Sequence, residues 1–417
     1  MKVLVVGKGG REHALVQAIA QSPTETQIYS FPGSDGICEV ARRVEVAGLA
    51  GVGEFLRQEH IDLCVAGEES YLVKEEGLAE VCRKAGVPCW GPSKAAAQLE
   101  ASKAFAKEFL IRHRIPTAEY SLATTLDEAR AAIRRYPVVL KYDGLAAGKG
   151  VVICAEPQSA ENFLREVFVE RKFGEGDVVV EEFLQGPEVS IFAAVCGEQF
   201  QVFAPARDYK RIGDGDQGPN TGGMGAVSCR AGLIDAQLGA LIEREIVKPT
   251  IQGLMKDGLP YVGFLYFGLM LTASGPKVLE FNCRFGDPEA QAVFPIISGD
   301  LARYLFEAAR GQIRPELIRF SDDWSVCVVL ASPGYPDAPQ TGALISGLNQ
   351  IEGARVYHAG TKKRPSGEFE TNGGRVLSVV AQAGRREDAV KRVYGEADKI
   401  RFEGRQMRRD IGTLHFT

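Results

Sequence analysis

The chain has 417 residues, of which 25% are charged and 45% hydrophobic, and its formal net charge is −5. This composition is typical of a globular enzyme with about three domains, and the small negative charge gives no reason to expect nucleic acid as a partner. Residues 1–7 form too short an apolar run for a signal peptide, so we expect a cytoplasmic protein with no membrane partner. The nine cysteines include no Cys-x-x-Cys pair, so neither a zinc site nor a disulfide framework is predicted.

The first hundred residues alternate short apolar runs with amphipathic, helix-like patterns. Such alternation predicts a doubly wound parallel sheet. The predicted strands are 2–6, 27–30, 61–66 and 87–90, and the predicted helices are 10–21, 52–58 and 73–85.

The turn after the first strand, residues 7–12, reads G-K-G-G-R-E and opens a helix. It lacks the third glycine of the dinucleotide fingerprint, which disfavours a NAD site. Free amides at a helix start still suit an anion, so we predict that Gly9, Gly10 and Arg11 hold a sugar phosphate; a purely structural turn is the alternative. Because ligands of open α/β sheets bind at the carboxyl ends of strands, the turns that contain Gly33, Ser34 and Gly67 are expected to line the same crevice.

A second glycine-rich segment, residues 143–150, joins predicted strands at 137–142 and 151–154. It is not a P-loop, because three residues separate its glycines where that motif needs four, and Gly150 follows Lys149. A flap of this kind can close its amides and its lysine over a triphosphate. The candidate nucleotide contacts are Gly148, Lys149 and Gly150, with Lys141 on the preceding strand. A simple hairpin turn is the alternative.

Two further segments could contact ligands through their backbone. The predicted strand 177–180 leads into Glu181, Glu182, Phe183 and Leu184, an extended segment suited to an adenine ring, and Glu188 could accept from ribose hydroxyls. A solvated acidic turn would look the same. Residues 213–225 contain six glycines, which allow close approach to a ligand, and we expect the stretch around Asn220 to hold a zwitterionic substrate.

The strongest chemical signal is the segment 278–289, V-L-E-F-N-C-R-F-G-D-P-E. If it begins as a strand, Glu280, Asn282 and Arg284 share one face while Phe281 points into the core. A carboxylate and an amide carbonyl suit a small divalent cation, and an arginine suits phosphoryl or carboxylate oxygens. The segment therefore predicts a magnesium-assisted phosphoryl-transfer site; a solvated strand edge is the alternative.

The remaining patterns predict the second half of the chain. A strand at 261–271 should pair with 278–282, and a small α/β domain should follow. The other predicted elements are helices at 95–99, 102–113, 127–135, 241–255, 301–309 and 386–396, and strands at 325–331, 354–359 and 375–383. We expect domains at 1–100, 101–325, with a lid at about 121–190, and 326–417.

Taken together, the motifs resemble those of the phosphoribosylamine–glycine ligase family, ATP-grasp enzymes of purine biosynthesis. The resemblance spans nearly the whole chain, with departures at Lys8, Ser34, Glu68, Tyr142 and Tyr209. The matching segments are G-K-G-G-R-E-H-A (7–14), S-K-A-F (102–105), D-G-L-A-A-G-K-G-V (143–151), E-E-F-L-x-G-x-E (181–188), G-P-N-T-G-G-M-G-A (218–226), E-F-N-C-R-F-G-D-P-E (280–289), H-A-G-T-K (358–362) and T-N-G-G-R-V-L (371–377).

The resemblance implies ATP-dependent ligation of glycine to 5-phosphoribosylamine through glycyl phosphate, with Mg²⁺ or Mn²⁺ as cofactor. It implies an N-terminal doubly wound sheet, a central ATP-grasp fold with a glycine-rich lid and a small α/β C-terminal domain, in a protein that we expect to be a monomer. The implied site residues are Glu280 and Asn282 for the metal, Arg284 for the acyl phosphate, Lys103, Lys141 and Lys149 for the nucleotide, and Asp208, Lys210, Asn220 and Asp287 for the amino acid and amine.

Two other interpretations stay open from the sequence alone. The first is another ATP-grasp ligase or carboxylase of nucleotide metabolism that acts on a different carboxylate or on bicarbonate. The second is a non-catalytic or NAD-linked protein with a Rossmann-like sheet.

Overall fold

The structure is a computed structural model, and it describes residues 1–144, 146 and 150–413. In this part of the chain, no helix is both long and apolar enough to cross a membrane. All nine cysteines are free, and seven of them are buried.

The N-terminal hundred residues fold around a parallel sheet. Its strands are β1 (Lys2–Gly7), β2 (Gln27–Pro32), β3 (Arg42–Arg43), β4 (Leu63–Ala66) and β5 (Cys89–Trp90), and its helices are α1 (Gly10–Ala20), α2 (Gly48–Gln58), α3 (Ser70–Val73) and α4 (Leu78–Ala85). The strand order is β3-β2-β1-β4-β5, which confirms the predicted doubly wound sheet. The helix predicted at 73–85 is interrupted, because Gly77 has a φ of +84°, a value that side-chain-bearing residues avoid.

The next segment forms an antiparallel sheet with a core of its own. Its elements are α5 (Gln98–Ala101), α6 (Lys103–Arg112), β6 (Tyr120–Ala123), α7 (Leu126–Ala132), β7 (Val138–Tyr142), β8 (Val151–Cys154), α8 (Pro157–Phe168) and β9 (Val178–Glu182). The strand order is β6-β9-β7-β8, and the two helices α7 and α8 pack on it. Strands β7 and β8 pair antiparallel, so the glycine-rich segment does join the two arms of a hairpin.

The rest of the chain, as far as residue 413, builds one large, nine-stranded sheet and three two-stranded sheets. Its elements are β10 (Glu188–Cys196), β11 (Gln199–Val202), β12 (Ala206–Asp208), β13 (Arg211–Gly213), β14 (Gln217–Asn220), β15 (Gly225–Ser228), α9 (Ala236–Ile242), a π-helical turn (Glu243–Val247), α10 (Lys248–Lys256), β16 (Val262–Thr272), β17 (Gly275–Asn282), α11 (Glu289–Val293), β18 (Ile297–Gly299), α12 (Leu301–Ala309), β19 (Ile318–Phe320), β20 (Trp324–Ala331), β21 (Arg355–His358), β22 (Thr361–Lys363), β23 (Phe369–Thr371), β24 (Arg375–Ala383) and α13 (Arg386–Ala397). The order in the large sheet is β17-β16-β10-β12-β15-β20-β24-β21, with β11 paired to β10, and the two-stranded sheets are β13-β14, β18-β19 and β22-β23.

The large sheet is continuous from strands β10, β12 and β15, in the middle of the chain, into the C-terminal strands β20, β24 and β21. Strand β15 pairs antiparallel with β20, with Ala226 opposite Cys327. The C-terminal strands therefore cover what would otherwise be an exposed sheet edge, which the sequence alone did not reveal. One apolar cluster contains Val3, Phe192, Phe285 and Tyr357, so the N-terminal, central and C-terminal segments share a core.

Candidate active site

Residues at the end of β17 and just after it line one cleft. Glu280, Asn282 and Arg284 all contribute to it, and Phe281, which also lines it, is only 2% exposed. The cleft has about 810 Å³ of empty volume, part of it open to solvent. Glycine at position 268 on the neighbouring strand makes room there, since a Cβ would lie 3.1 Å from Cγ of Glu280. The strand period places Glu280 and Asn282 on one side of β17, and Arg284, two residues past the end of the strand, joins them in the cleft.

The donor set at Glu280 and Asn282 fits a hard divalent cation. Among the described residues, no hydrogen bond or ion pair engages the Glu280 carboxylate. The side-chain nitrogen of Asn282 can donate hydrogen bonds to Glu100 Oε1 and to the Phe281 carbonyl, both at 3.1 Å. In this orientation the side-chain oxygen is not used in these two hydrogen bonds. No group of three acidic, histidine or cysteine side chains in metal-binding geometry occurs in the described ranges. Two protein oxygens are what Mg²⁺ needs when substrate phosphates and water complete its shell.

Arg284 is fixed by two carboxylates. Its guanidinium lies 2.7 Å from Glu100 Oε1 and donates to Glu69 Oε2 at 3.1 Å. Burial raises the pKa of Glu100, although Arg284 opposes this shift. At Glu69 burial acts in the same direction, but the guanidinium groups of Arg284 and Arg11 outweigh it and lower the pKa to about 2. Glu69 thus stays ionised and joins the cleft to the N-terminal sheet, a role that the sequence analysis missed.

The lysines Lys103 and Lys141 line the cleft. Lys103 Nζ donates to the Gly144 carbonyl at 2.9 Å, and burial lowers the pKa of Lys103. Lys141 Nζ lies 2.9 Å from Glu181 Oε1 and donates to the Leu279 carbonyl at 3.0 Å. Cations of this kind can neutralise the charge of a polyphosphate.

Lys107 was not predicted. Its Nζ lies 3.2 Å from Glu181 Oε2, and burial lowers its pKa to about 8, although Glu181 opposes the shift. A signal did exist, because Lys107 follows Lys103 by one helical turn of α6 and so faces the same side.

The segment 181–184 begins within β9, where the Glu182 amide donates to the Glu119 carbonyl at 3.0 Å. Glu181 is 2% exposed and pairs with lysines, while Glu182 pairs with Lys277 at 3.1 Å. Phe183 is half-buried, and Leu184 packs with Ala118 and Met270 in a small apolar cluster. Leu279 packs against this cluster and also lines the cleft. An apolar surface of this kind is typical of pockets that hold adenine rings.

A second charged group lies on β10 and β12. Lys210 Nζ donates to Glu188 Oε2 at 2.7 Å, so Glu188, predicted to contact ribose, is engaged by a lysine. Lys210 lowers the pKa of Glu188. Burial raises the pKa of Asp208 to about 7, opposed by Lys210 and assisted by Glu289. Asp208 is therefore able to exchange a proton near neutral pH.

The turns at the carboxyl edge of the N-terminal sheet meet as predicted, since Gly7 is in register with Pro32 and Val6 with Ala66. Their backbone donors are already used internally: the Gly33 amide donates to Gly7 O at 3.2 Å and the Gly67 amide to Val6 O at 2.8 Å. Ser34 Oγ accepts from the Ile37 amide at 3.4 Å.

Two of the predicted phosphate donors are also engaged by a carboxylate. The Gly9 amide donates to Glu12 Oε2 at 2.6 Å, and Arg11 Nε donates to Glu12 Oε1 at 2.5 Å. Arg11 is 7% exposed. A Cβ at Gly10 would lie 2.6 Å from Nε2 of Gln291, so this glycine admits a side chain of α11. Phosphate binding at these three residues stays a prediction.

Among the described residues, those that line the cleft do not include Glu188, Asp208, Lys210, Asn220 or Asp287. Asn220 is exposed on β14, and Gly148 and Lys149 lie outside the described residues. Gly150, by contrast, lines the cleft.

Several departures from the family pattern have local partners. Tyr142 donates its hydroxyl to the carbonyls of Phe173 and Glu175 at 3.0 and 3.1 Å. Glu68 accepts from the Ser70 hydroxyl at 2.8 Å, and Tyr209 accepts from the Gly412 amide at 3.1 Å. These side chains are therefore held by contacts within the fold.

Comparison with known proteins assigns the family. Sequence models of phosphoribosylglycinamide synthetase match in three consecutive blocks: the N domain at residues 1–100, the ATP-grasp (A) domain at 101–290 and the C domain at 325–414. The chain belongs to the phosphoribosylamine–glycine ligase family. It is therefore an ATP-grasp carbon–nitrogen ligase.

Individual relatives agree with this assignment. Phosphoribosylamine–glycine ligase of Chlorobaculum tepidum is 42% identical over 425 residues, which cover 99% of each chain. The crystal structure of the Thermotoga maritima phosphoribosylamine–glycine ligase is 34% identical and has a TM-score of 0.86 over 98% of this chain and 100% of that one. The biotin carboxylase domain of Hydrogenobacter thermophilus 2-oxoglutarate carboxylase, at 18% identity and a TM-score of 0.72 over 97% of this chain and 91% of that one, shares the fold alone.

Proposed function

We propose that this chain ligates glycine to 5-phosphoribosylamine, consuming ATP and releasing ADP and phosphate, as a step of purine biosynthesis. Family membership over the full length supports this reaction. The observation that carries the chemistry is the shared cleft of Glu280, Asn282 and Arg284, into which Lys103 and Lys141 also face.

The reaction divides into two displacements. A carboxylate oxygen of glycine attacks the γ-phosphorus of ATP, which gives glycyl phosphate and ADP. The amine of phosphoribosylamine then attacks the acyl carbon, loses a proton and displaces inorganic phosphate, which leaves an amide. A free carboxylate is a poor electrophile, so the first step supplies the leaving group, and the protein contributes positioning and charge neutralisation.

Glu280 and Asn282 hold Mg²⁺ or Mn²⁺, which supplies positive charge to the transferring phosphoryl group. Arg284 holds the acyl phosphate, and its two carboxylate partners keep the guanidinium oriented. The nucleotide contacts are Lys103, Lys141, the loop Gly148, Lys149 and Gly150, and the backbone of Glu181, Glu182, Phe183 and Leu184.

Asp208, with a pKa near 7, accepts the proton that the attacking amine loses. Lys210 contacts glycine, and Asp287 orients the amine. The sugar phosphate lies at the edge of the N-terminal sheet, near Gly9, Gly10, Arg11, Gly33, Ser34 and Gly67. The chain divides into domains at residues 1–100, 101–325, with a lid at about 121–190, and 326–417. The protein acts as a monomer in the cytoplasm.

The test is the dependence of ADP release on the acid supplied. With phosphoribosylamine present, glycine should stimulate ADP release far more than other amino acids or bicarbonate. Equal stimulation by bicarbonate would favour an ATP-grasp carboxylase. Binding of NADH without binding of Mg–ATP would favour a NAD-linked protein.

A further inference from the structure

Two C-terminal residues, Tyr335 and Arg375, hydrogen-bond to the backbone of Gly222, one at its amide and one at its carbonyl. The Gly222 amide donates to the hydroxyl of Tyr335 at 2.9 Å, and its carbonyl accepts from Nη1 of Arg375 at 2.5 Å. The next residue, Gly223, packs against Pro288, since a Cβ there would lie 2.4 Å from the proline Cδ. The loop at Gly222 and Gly223 therefore lies between Tyr335 and Arg375 on one side and Pro288 on the other.

The same arginine holds Asp287. Arg375 Nη1 also donates to the Asp287 backbone carbonyl at 2.7 Å, and Nη2 lies 3.1 Å from Oδ2 of that residue. Gln291 Nε2 donates to the other carboxylate oxygen, Oδ1, at 2.7 Å. Both the backbone and the side chain of Asp287 are thus fixed, with Arg375 contributing two of the three contacts.

Asp287 in turn lies against the turn that is predicted to hold the sugar phosphate. A Cβ built at Gly9 would lie 3.5 Å from Asp287 Oδ2, so the carboxylate lies against the first turn of the N-terminal sheet. Gln291 is fully buried and reaches this position because residue 10 is glycine. The Asp287 carboxylate therefore lies where the N-terminal turn and the C-terminal strand β24 meet.

We propose that Arg375 is a positioning residue for the ligation step: it holds Asp287 and the loop at Gly222 in the geometry that the amine substrate requires. This inference rests on the proposed function, because it takes Asp287 to contact the amine. It assigns the C-terminal segment a part in the second displacement and none in phosphoryl transfer to glycine.

The experiment compares Arg375→Met with Arg405→Met in the full-length protein. Arg405 is a matched control, because it also donates to two backbone carbonyls, those of Ala397 and Ile400, and pairs with a carboxylate, Asp398. Its side chain is 17% exposed, against 21% for Arg375. The readouts are kcat/KM for phosphoribosylamine, KM for ATP and glycine-dependent ADP formation in a first turnover without the amine.

Arg375→Met should lower kcat/KM for phosphoribosylamine by roughly 10- to 100-fold, since misplacement of a reacting group by about 1 Å can have an effect of this size. KM for ATP and first-turnover ADP formation should stay within about twofold of wild type. All three quantities should stay within about twofold in Arg405→Met. Combining Arg375→Met with Asp287→Asn should add little to the loss seen in Asp287→Asn, because both changes disable one unit.

Equal kcat/KM in the two arginine variants, or additive losses in the double variant, would overturn the inference. If Arg375→Met does not fold, Arg375→Lys keeps the charge but cannot reproduce the planar fork, and it should show the same selective loss. Wild-type protein that releases ADP with another acid and not with glycine refutes the proposed function instead. The arginine comparison is then made with that acid, so the two failures are distinguishable.

Discussion

Replacing Arg284 with alanine is expected to lower both turnover and stability, for separable reasons. In the proposed mechanism the guanidinium is the donor to the acyl phosphate, and loss of one such donor lowers turnover by about 10²–10³-fold, or roughly 2.7–4 kcal/mol of transition-state stabilisation. The same change leaves the Glu100 carboxylate, whose side chain is only 7% exposed, without its ion-pair partner. Removing one member of a buried pair typically lowers the free energy of unfolding by about 3–5 kcal/mol.

The stability effect can be converted into a midpoint shift. Unfolding entropy is about 2.1 cal/mol/K per residue near 60 °C, so for 417 residues a loss of about 3–5 kcal/mol lowers Tm by roughly 3–6 °C. Glu69 contributes less to this loss, because it is more exposed and keeps its contact with Arg11 at 3.5 Å.

A double variant separates the two effects. Arg284→Ala combined with Glu100→Gln removes the unpaired charge, so calorimetry should show Tm restored to within about 2 °C of wild type, as midpoint shifts of this size correspond to under about 2 kcal/mol. Turnover, measured as glycine-dependent ADP release, should stay as low as in the single variant. Turnover within about threefold of wild type in Arg284→Ala would remove this residue from its role, and an unchanged Tm would refute the buried-pair argument.

Three further changes test other parts of the site. Glu280→Gln should lower turnover by about 10²–10³-fold and weaken Mg²⁺-dependent binding of an ATP analogue in calorimetry; tight metal-dependent binding would exclude Glu280 as a ligand. Gly148→Val should stiffen the glycine-rich loop and raise KM for ATP, and an unchanged KM would make this loop a simple hairpin. Burial lowers the pKa of His13 to about 3 from its ordinary 6.5, so the unfolded chain takes up the proton first and stability is lost as pH falls below about 6.5. Between pH 7.5 and pH 5, thermal unfolding should show wild type losing about 2 kcal/mol more than His13→Gln, and equal losses would contradict a buried neutral imidazole.

The chemistry of β17 could be predicted because it is local. Glu280 and Asn282 are spaced by two within β17, so the strand period puts them on one face, and Arg284 follows two residues after the strand ends. Their supporting residues could not be found in the same way, because the partners are distant in sequence: Glu69 lies 215 residues before Arg284, and Arg375 lies 88 residues after Asp287. Only the tertiary fold makes such pairs adjacent.

Some elements were missed although a local signal existed. Helix α8 buries Ala160, Phe163, Leu164 and Val167, a spacing of three and four residues with Pro157 in its first turn, which is a recognisable helix pattern. Strand β10 is a nearly continuous apolar run, typical of a strand buried on both faces, yet its first residue, Glu188, was considered only as a ligand contact. In both cases the local residue pattern is sufficient to predict the element.

The charges that surround residues 284–291 come from all three segments of the chain. Arg11 and Glu69 belong to the N-terminal sheet, and Arg375 begins a C-terminal strand. Buried ion pairs contribute little net stability, because desolvation offsets most of their attraction, whereas apolar residues of similar size would hold the segments together at least as well. Their concentration beside the cleft is therefore better explained by positioning than by stability. The N-terminal and C-terminal parts of the chain each supply a charge that orients a residue between 284 and 291. We therefore expect the ligation step to require all three parts of the chain in their observed packing. The nucleotide cleft should depend mainly on the central part.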